Sequence, residues 1–252
     1  MEINYWGPAV SYDNENWHWL GKSGDQNDTF FEYTFASNED KVYFCHHMSY
    51  QVKRFLDFSK LEGLDIETLC VSEKGSDVPM VRIGSGGPVI LLTSRHHCCE
   101  STGTYLMEGI LREFAHHPPE GFQILAIPFV DYDGVLAGDQ GKERLPHDHN
   151  RDYIDQPIYS SIRAIKDLSK REKIMVALDL HAPWHRTHEH DHCYILRSPD
   201  NDNPQREIFS RLLEAETRAD TRAFPFWHNF MFKHAGLPLG NLVHYFAGCP
   251  DV

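Results

Sequence analysis

The run Ser94–Ser101, SRHHCCES, holds His97 and Glu100 as a His-x-x-Glu pair. Residues three apart point the same way at the mouth of a helix. One neutral imidazole and one carboxylate are two of the three protein ligands that a catalytic zinc needs. A third candidate is His181, which directly follows the apolar run Ile174–Leu180. Asp148, in the string HDHNRDY, is of a type that orients a metal-bound imidazole by accepting its other N–H. Asn150 and Arg151 follow it, and an arginine fork matches a carboxylate, in a ligand or in a surface ion pair. Lys142 and Arg144 lie in the preceding loop, where either cation can stabilise an oxyanion beside a metal or stand solvated as a loop charge. Cys98 and Cys99, inside the first motif, read as small buried spacers.

To act together, these residues must be gathered by the elements around them. Pro88–Thr93 is an apolar strand, and Ser101–Phe114 has helical spacing. Phe122–Val130 is a second buried-type strand, followed by a long polar loop over Asp131–Asn150. Pro157–Lys170 is helical, Ile174–Leu180 reads as a central parallel strand, and Asn203–Ala219 is helical again. Upstream, helical spacing covers Ser49–Leu56, and Ile66–Val71 and Val78–Ile83 form a hairpin around Glu73–Asp77. Thr29–Phe35 and Lys41–Cys45 read as short strands of a small β module. Strands alternating with helices predict an α/β fold with a mixed, largely parallel sheet and helices on both faces, preceded by a small partial β module. The expected boundaries are 1–48 for that module and 49–252 for the domain that carries the chemistry. The candidate residues all follow core-type strands, and the carboxyl ends of strands are where open α/β sheets build sites.

The chain has 252 residues, enough for one sizeable core. Its formal charge of -13 argues against nucleic acid or an anionic membrane as the main partner. The six cysteines form no CxxC pair. The first ten residues lack a basic segment followed by an apolar one, and no apolar run approaches the ~20 residues of a membrane span. A cytoplasmic setting with reduced thiols is therefore expected. The 17 histidines gather around His97, around His147 and His149, and from His181 to His192. Those at His185, His188, His190 and His192 read as exposed loop histidines, with a second metal as the alternative.

Taken together, these strings resemble the zinc metallocarboxypeptidases, most closely the cytosolic carboxypeptidase subfamily that includes tubulin deglutamylases. The match runs from about Lys41 to near the C-terminus. KVYFCHHMSYQVKRFL looks like the segment joining the family's β domain to its catalytic domain. SRHHCCES resembles the R-x-H-P-G-E zinc motif, with Cys98-Cys99 in place of Pro-Gly. FVDYDGVLAG resembles N-P-D-G-V, DHNRDY resembles D-x-N-R, and LDLHAPW resembles the strand bearing the third ligand. The resemblance implies one zinc ion on His97, Glu100 and His181, with Asp148 behind a ligand histidine. It implies that Asn150 and Arg151 hold the terminal carboxylate of a peptide or protein substrate. The family's transition-state arginine falls on Gly141 by counting, which leaves Arg144, preferred, or Lys142 in its place. The family's general base, a glutamate on a late strand, falls a few residues beyond Val252, and no glutamate follows Glu216. Glu214 and Glu216 come too early to match, so a chain cut at one or both ends, or a shortened member, is expected. The implied activity is zinc-dependent hydrolysis of a C-terminal peptide, isopeptide or amide bond. The alternatives are a zinc amidohydrolase that deacylates an amino acid, and a zinc-containing module that binds peptide ends without catalysis. Oligomeric state is not legible in these residues.

Overall fold

The computed structural model describes residues 7–21, 30–181, 193–194, 204–219, 226–227 and 242. They fall in two compact units, one of residues 1–183 with 240–252, the other of residues 184–239.

The first unit opens with a small antiparallel sheet of β1 (Ala9–Ser11), β2 (His18–Trp19) and β3 (Tyr43–Cys45), in the order β2-β1-β3. The expected strand over Thr29–Phe35 is not one, since Phe30–Phe35 are irregular. Its alternation serves side-chain packing instead. Phe31 and Tyr33 each lie 5.1 Å from the Phe44 ring, while Tyr33 donates to Glu39 Oε1 at 2.8 Å.

Helix α1 (Val52–Leu61) then leads into the main sheet of β4 (Ile66–Val71), β5 (Asp77–Ile83), β6 (Val89–Ser94), β7 (Gln123–Ile127) and β8 (Ile174–Leu180). Helix α2 (Thr102–His116) joins β6 to β7. Between β7 and β8 lie α3 (Tyr132–Ala137), a 3-10 turn at His149–Arg151 and α4 (Ser160–Arg171). The strand order is β4-β5-β7-β6-β8. The β4–β5 and β5–β7 pairs are antiparallel, whereas β6 pairs in parallel with β7 and β8. The sheet is mixed, and its parallel half is the half that matters for the chemistry. The run 174–180 belongs to that half, where it forms β8 and pairs in parallel with β6.

Alternation along the strands divides the core in two, because successive side chains leave a sheet on opposite faces. Met80, Leu91 and Leu125 join Ile162, Ile165 and Leu168 of α4 in one cluster. Val81, Leu92 and Ala126 join Phe55 and Phe58 of α1 and Met107 and Leu111 of α2 in the other. Helices thus cover both faces, and each fully buried Leu or Ile contributes about 1.5–3 kcal/mol by leaving water.

Helix α3 breaks the expected loop over Asp131–Asn150. The Asp131 side chain caps it by accepting from Gly134 N at 3.0 Å, and Gly138 ends it at φ 68°. Both are ordinary helix-end chemistry in a six-residue helix too short to display a hydrophobic period.

In the second unit, β9 (Cys193–Tyr194) pairs in parallel with β10 (Phe226–Trp227), and α5 (Pro204–Ala219) lies between them in sequence. The histidines His185, His188, His190 and His192 lie outside the described residues. Among the described residues no helix is long and apolar enough to cross a membrane.

Candidate metal centre

Because β6, β7 and β8 are parallel, their carboxyl ends share one edge of the sheet. Ser94, the last residue of β6, is in register with Leu180, the last of β8. The chain leaving β6 therefore meets the chain leaving β8 at once, and residues 83 positions apart in sequence become neighbours. The turn out of β6 is held by Arg95, a non-glycine residue at φ 63°. Its buried guanidinium donates to Cys98 O at 2.6 Å and to Tyr50 O at 3.0 Å. These bonds offset the unfavourable backbone and fix the loop that carries His97.

His97 Nδ1 lies 3.2 Å from Glu100 Oε2, and His181 Nε2 lies 2.9 Å from the same oxygen. His97, Glu100 and His181 each offer a donor atom, and these atoms lie within 4.8 Å of one another. The outer nitrogens are also occupied. His97 Nε2 faces Asp148 Oδ2 at 3.4 Å, and His181 Nδ1 faces Asp179 Oδ2 at 3.0 Å. Each ring is thus set between two carboxylates. A neutral imidazole donates from one nitrogen only, so without a cation both rings must carry a second proton. The electrostatics agree. Burial opposes charge on His181, but Glu100 and Asp179 push it up to about 10. Burial likewise opposes ionisation of Glu100, yet the two facing imidazoles hold its carboxyl well below the usual range. One divalent cation at the inner nitrogens would replace two inner protons at equal charge. Two imidazoles and a carboxylate, backed by outer carboxylates, are a donor set that suits zinc.

Asp148 stands behind His97. Asp179 plays the same part for His181, and the sequence reading gave it no role. The available signal was a lone charge inside an otherwise apolar strand, because a buried carboxylate needs partners. Asp179 Oδ1 accepts from Thr93 Oγ1 at 3.1 Å and faces His96 Nδ1 at 3.0 Å.

The two candidate cations go to different places. Lys142 Nζ lies 2.8 Å from Glu100 Oε1, the oxygen turned away from the imidazoles. Arg144 Nη2 lies 2.6 Å from Asp131 Oδ2 and 2.9 Å from Asp139 Oδ2. Asn150 is buried in the 3-10 turn, and Arg151 Nη1 donates to Asn150 O at 3.2 Å. Between them and Asp148, burial and stacking on Tyr159 at 3.7 Å accompany a His149 pushed down to about 3, which keeps that ring neutral. Cys98 is buried, and its thiol donates to Asp139 O at 3.0 Å, whereas Cys99 is half-buried.

The position of His181 also depends on a glycine. A Cβ on Gly103, in the first turn of α2, would lie 1.8 Å from Leu180 O. Gly103→Ala must therefore push α2 and the end of β8 apart. Overpacking of this kind costs about 1–3 kcal/mol. Urea unfolding is expected to show that loss, and chelator competition a weakened metal site. Wild-type stability would mean that α2 and β8 can separate freely.

No protein-family profile matches the chain. Cytosolic carboxypeptidase 1 of Xenopus laevis is 26% identical over 188 residues, which cover 60% of this chain and 15% of that protein. A Plasmodium falciparum (isolate 3D7) protein with zinc carboxypeptidase in its name is 30% identical over 104 residues, 36% of this chain and 6% of its own. The chain therefore spans a small part of the curated relatives it matches. Among solved structures, a metallo-carboxypeptidase from Pseudomonas aeruginosa, in complex with (2-guanidinoethylmercapto)succinic acid, superposes with a TM-score of 0.68 at 17% identity, covering 97% of this chain and 68% of that one. Identity that low speaks for the fold alone. Fold and sequence similarity converge: this chain has the metallocarboxypeptidase fold and resembles the cytosolic carboxypeptidases in sequence.

Proposed function

We propose that the protein is a zinc-dependent hydrolase that acts at the C-terminus of a peptide or protein. The observation that carries this reading is the convergence of His97 Nδ1, Glu100 Oε2 and His181 Nε2 at the carboxyl edge of the parallel strands. One zinc ion on those three residues, when bound, polarises the scissile carbonyl and lowers the pKa of a bound water. Asn150 and Arg151 bind the free carboxylate of the substrate, which sets the register of the bond to be cut. Lys142 supplies positive charge to the oxyanion from beside Glu100, and Arg144 braces the loop that carries it. The similarity to a cytosolic carboxypeptidase and the free thiols at Cys45, Cys70, Cys98 and Cys99 support a cytoplasmic setting.

A second reading has an observation in its favour. Among the described residues, Glu100, Asp148 and Asp179 are each engaged by an imidazole, which leaves none of these three carboxylates to take a proton from water. A zinc-containing site that binds peptide ends without cutting them fits that arrangement.

The experiment that separates the readings measures bound zinc and released residues on paired peptides with free and amidated C-termini. The hydrolase reading expects stoichiometric zinc, release from the free acid and resistance of the amide. Binding of the free acid without release sinks it in favour of the binding module. Equal release from both peptides sinks the carboxylate anchor.

A further inference from the structure

We propose that Tyr153, His96 and Asp179 form a hydrogen-bond relay that fixes the orientation of His181 toward the metal. The inference rests on the zinc reading of His97, Glu100 and His181 and extends it into the core.

The relay begins in the hydrophobic cluster under α4, where Tyr153 is 6% exposed and packs among aliphatic side chains. Its hydroxyl lies 2.8 Å from His96 Nε2. His96 is fully buried, and its other nitrogen, Nδ1, lies 3.0 Å from Asp179 Oδ1. Asp179 Oδ2 then lies 3.0 Å from His181 Nδ1. The donors follow from chemistry. An ionised carboxylate only accepts, so both ring Nδ1 atoms must donate to it. A neutral His96 then has a lone pair at Nε2, which accepts from the Tyr153 hydroxyl. With zinc bound, the same logic sets His181 with its proton on Nδ1 and its lone pair on Nε2, the nitrogen beside Glu100. Thr93 Oγ1 adds a further donor to Asp179 Oδ1 at 3.1 Å.

Geometry gives the chain of bonds a purpose beyond burying polar groups. The His96 and His181 rings lie nearly parallel, 22° apart, with centroids 6.4 Å apart, whereas the His97 and His181 rings meet edge to face at 84°. A carboxylate held on one oxygen by Thr93 and His96 cannot rotate, so its other oxygen holds His181 in one plane. His181 is the ligand most in need of this support. It directly follows the last residue of β8, and it is 29% exposed where His97 is 8%. His96, Asp179 and His181 could themselves gather a cation, but the donors and acceptors of the relay already match one to one, and an ion there would displace them.

Two variants test the relay. Asp179→Asn presents an amide N–H where a ring N–H must donate, and Tyr153→Phe removes only the distal hydroxyl. Zinc affinity is measured by chelator competition, and ligand geometry by the d–d absorption of the cobalt(II) form. Asp179→Asn is expected to weaken zinc ~10–100-fold. Tyr153→Phe is expected to weaken it about 2–10-fold, as for one lost hydrogen bond, and both should shift the cobalt spectrum, which a merely structural role would leave unmoved. Wild-type affinity and spectrum in Tyr153→Phe overturn the relay, even if Asp179→Asn is weakened or does not fold. A second tightly bound ion per wild-type chain that is lost in His96→Ala overturns it as well. The underlying zinc reading fails by a different result: no stoichiometric zinc in the wild type, or zinc retained in His97→Ala.

Discussion

Replacing His97 or His181 with alanine is expected to strip the protein of stoichiometric zinc and to end release of C-terminal residues. Zinc bound through four protein ligands is worth about 10–16 kcal/mol in small folded domains. Divided among ligands, that is about 2.5–4 kcal/mol for each, or roughly 10²–10³-fold in affinity. Loss of hydrolysis should be at least as large, because a site that does not hold the ion also loses the polarised carbonyl and the activated water. The two substitutions should leave the fold in place. Neither side chain belongs to the clusters that cover the sheet faces, which are made of aliphatic and aromatic residues from α1, α2, α4 and the strands. Removing either ring also relieves one of the two protons that the bare site must otherwise hold between imidazole and carboxylate. Zinc content by metal analysis and a far-ultraviolet dichroism spectrum decide the matter together. Stoichiometric zinc in folded His97→Ala protein would remove His97 from the ligand set.

The parts of the site that the sequence made legible are those carried by short spacings. His97 and Glu100 share one turn after a strand, so their proximity needs no tertiary knowledge. His181 was legible as a strand-end residue, and the parallel pairing of β6 with β8 brings it to Glu100. The apolar runs over 89–94 and 123–127 were legible because a strand covered on both faces leaves no polar alternation, and the run over 174–180 because it is continuous and apolar apart from Asp179. What escaped is set by contacts between distant segments. Helix α3 escaped because six residues carry caps but no period. Phe31 and Tyr33 alternate as a strand would, yet they pack on Phe44 without joining its ladder. The roles of His96, Asp179 and Tyr153 appear only when β6, β8 and the turn after Asn150 are assembled, since the three residues come from three separate segments.

The sequence offered Arg144 ahead of Lys142 as the oxyanion cation, but Arg144 is paired with Asp131 and Asp139 whereas Lys142 stands beside Glu100, so their surroundings assign them different expected effects. Lys142→Met is expected to lower kcat about 10²–10³-fold, the loss typical of one oxyanion donor. Its ammonium ends beside Glu100 Oε1, at 2.8 Å, so it stands next to the ligand set, and it remains 30% exposed and able to swing toward a substrate. Arg144 has its charge taken up by two carboxylates, Asp131 and Asp139, and lies over Gly134 and Cys98. Asp131 is 1% exposed and caps α3, so Arg144→Met leaves a buried carboxylate without its cation. Breaking a buried pair in that way costs about 3–5 kcal/mol when both partners are deep, and less here because the guanidinium is 27% exposed. The two variants should therefore part company in different measurements. Lys142→Met keeps its unfolding midpoint and loses turnover on a peptide with a free C-terminus. Arg144→Met loses unfolding free energy, and its turnover at a temperature where it remains folded stays within about tenfold of wild type, because only an indirect support of Lys142 is lost. The reverse pattern, turnover lost in folded Arg144→Met and kept in Lys142→Met, would show that Arg144 leaves Asp131 to meet the substrate. The conservative exchange Lys142→Arg sharpens the comparison. It keeps the charge but replaces a compact ammonium by a planar fork that has no matching partner at a single carboxylate oxygen, so partial turnover there separates the need for positive charge from the need for this geometry.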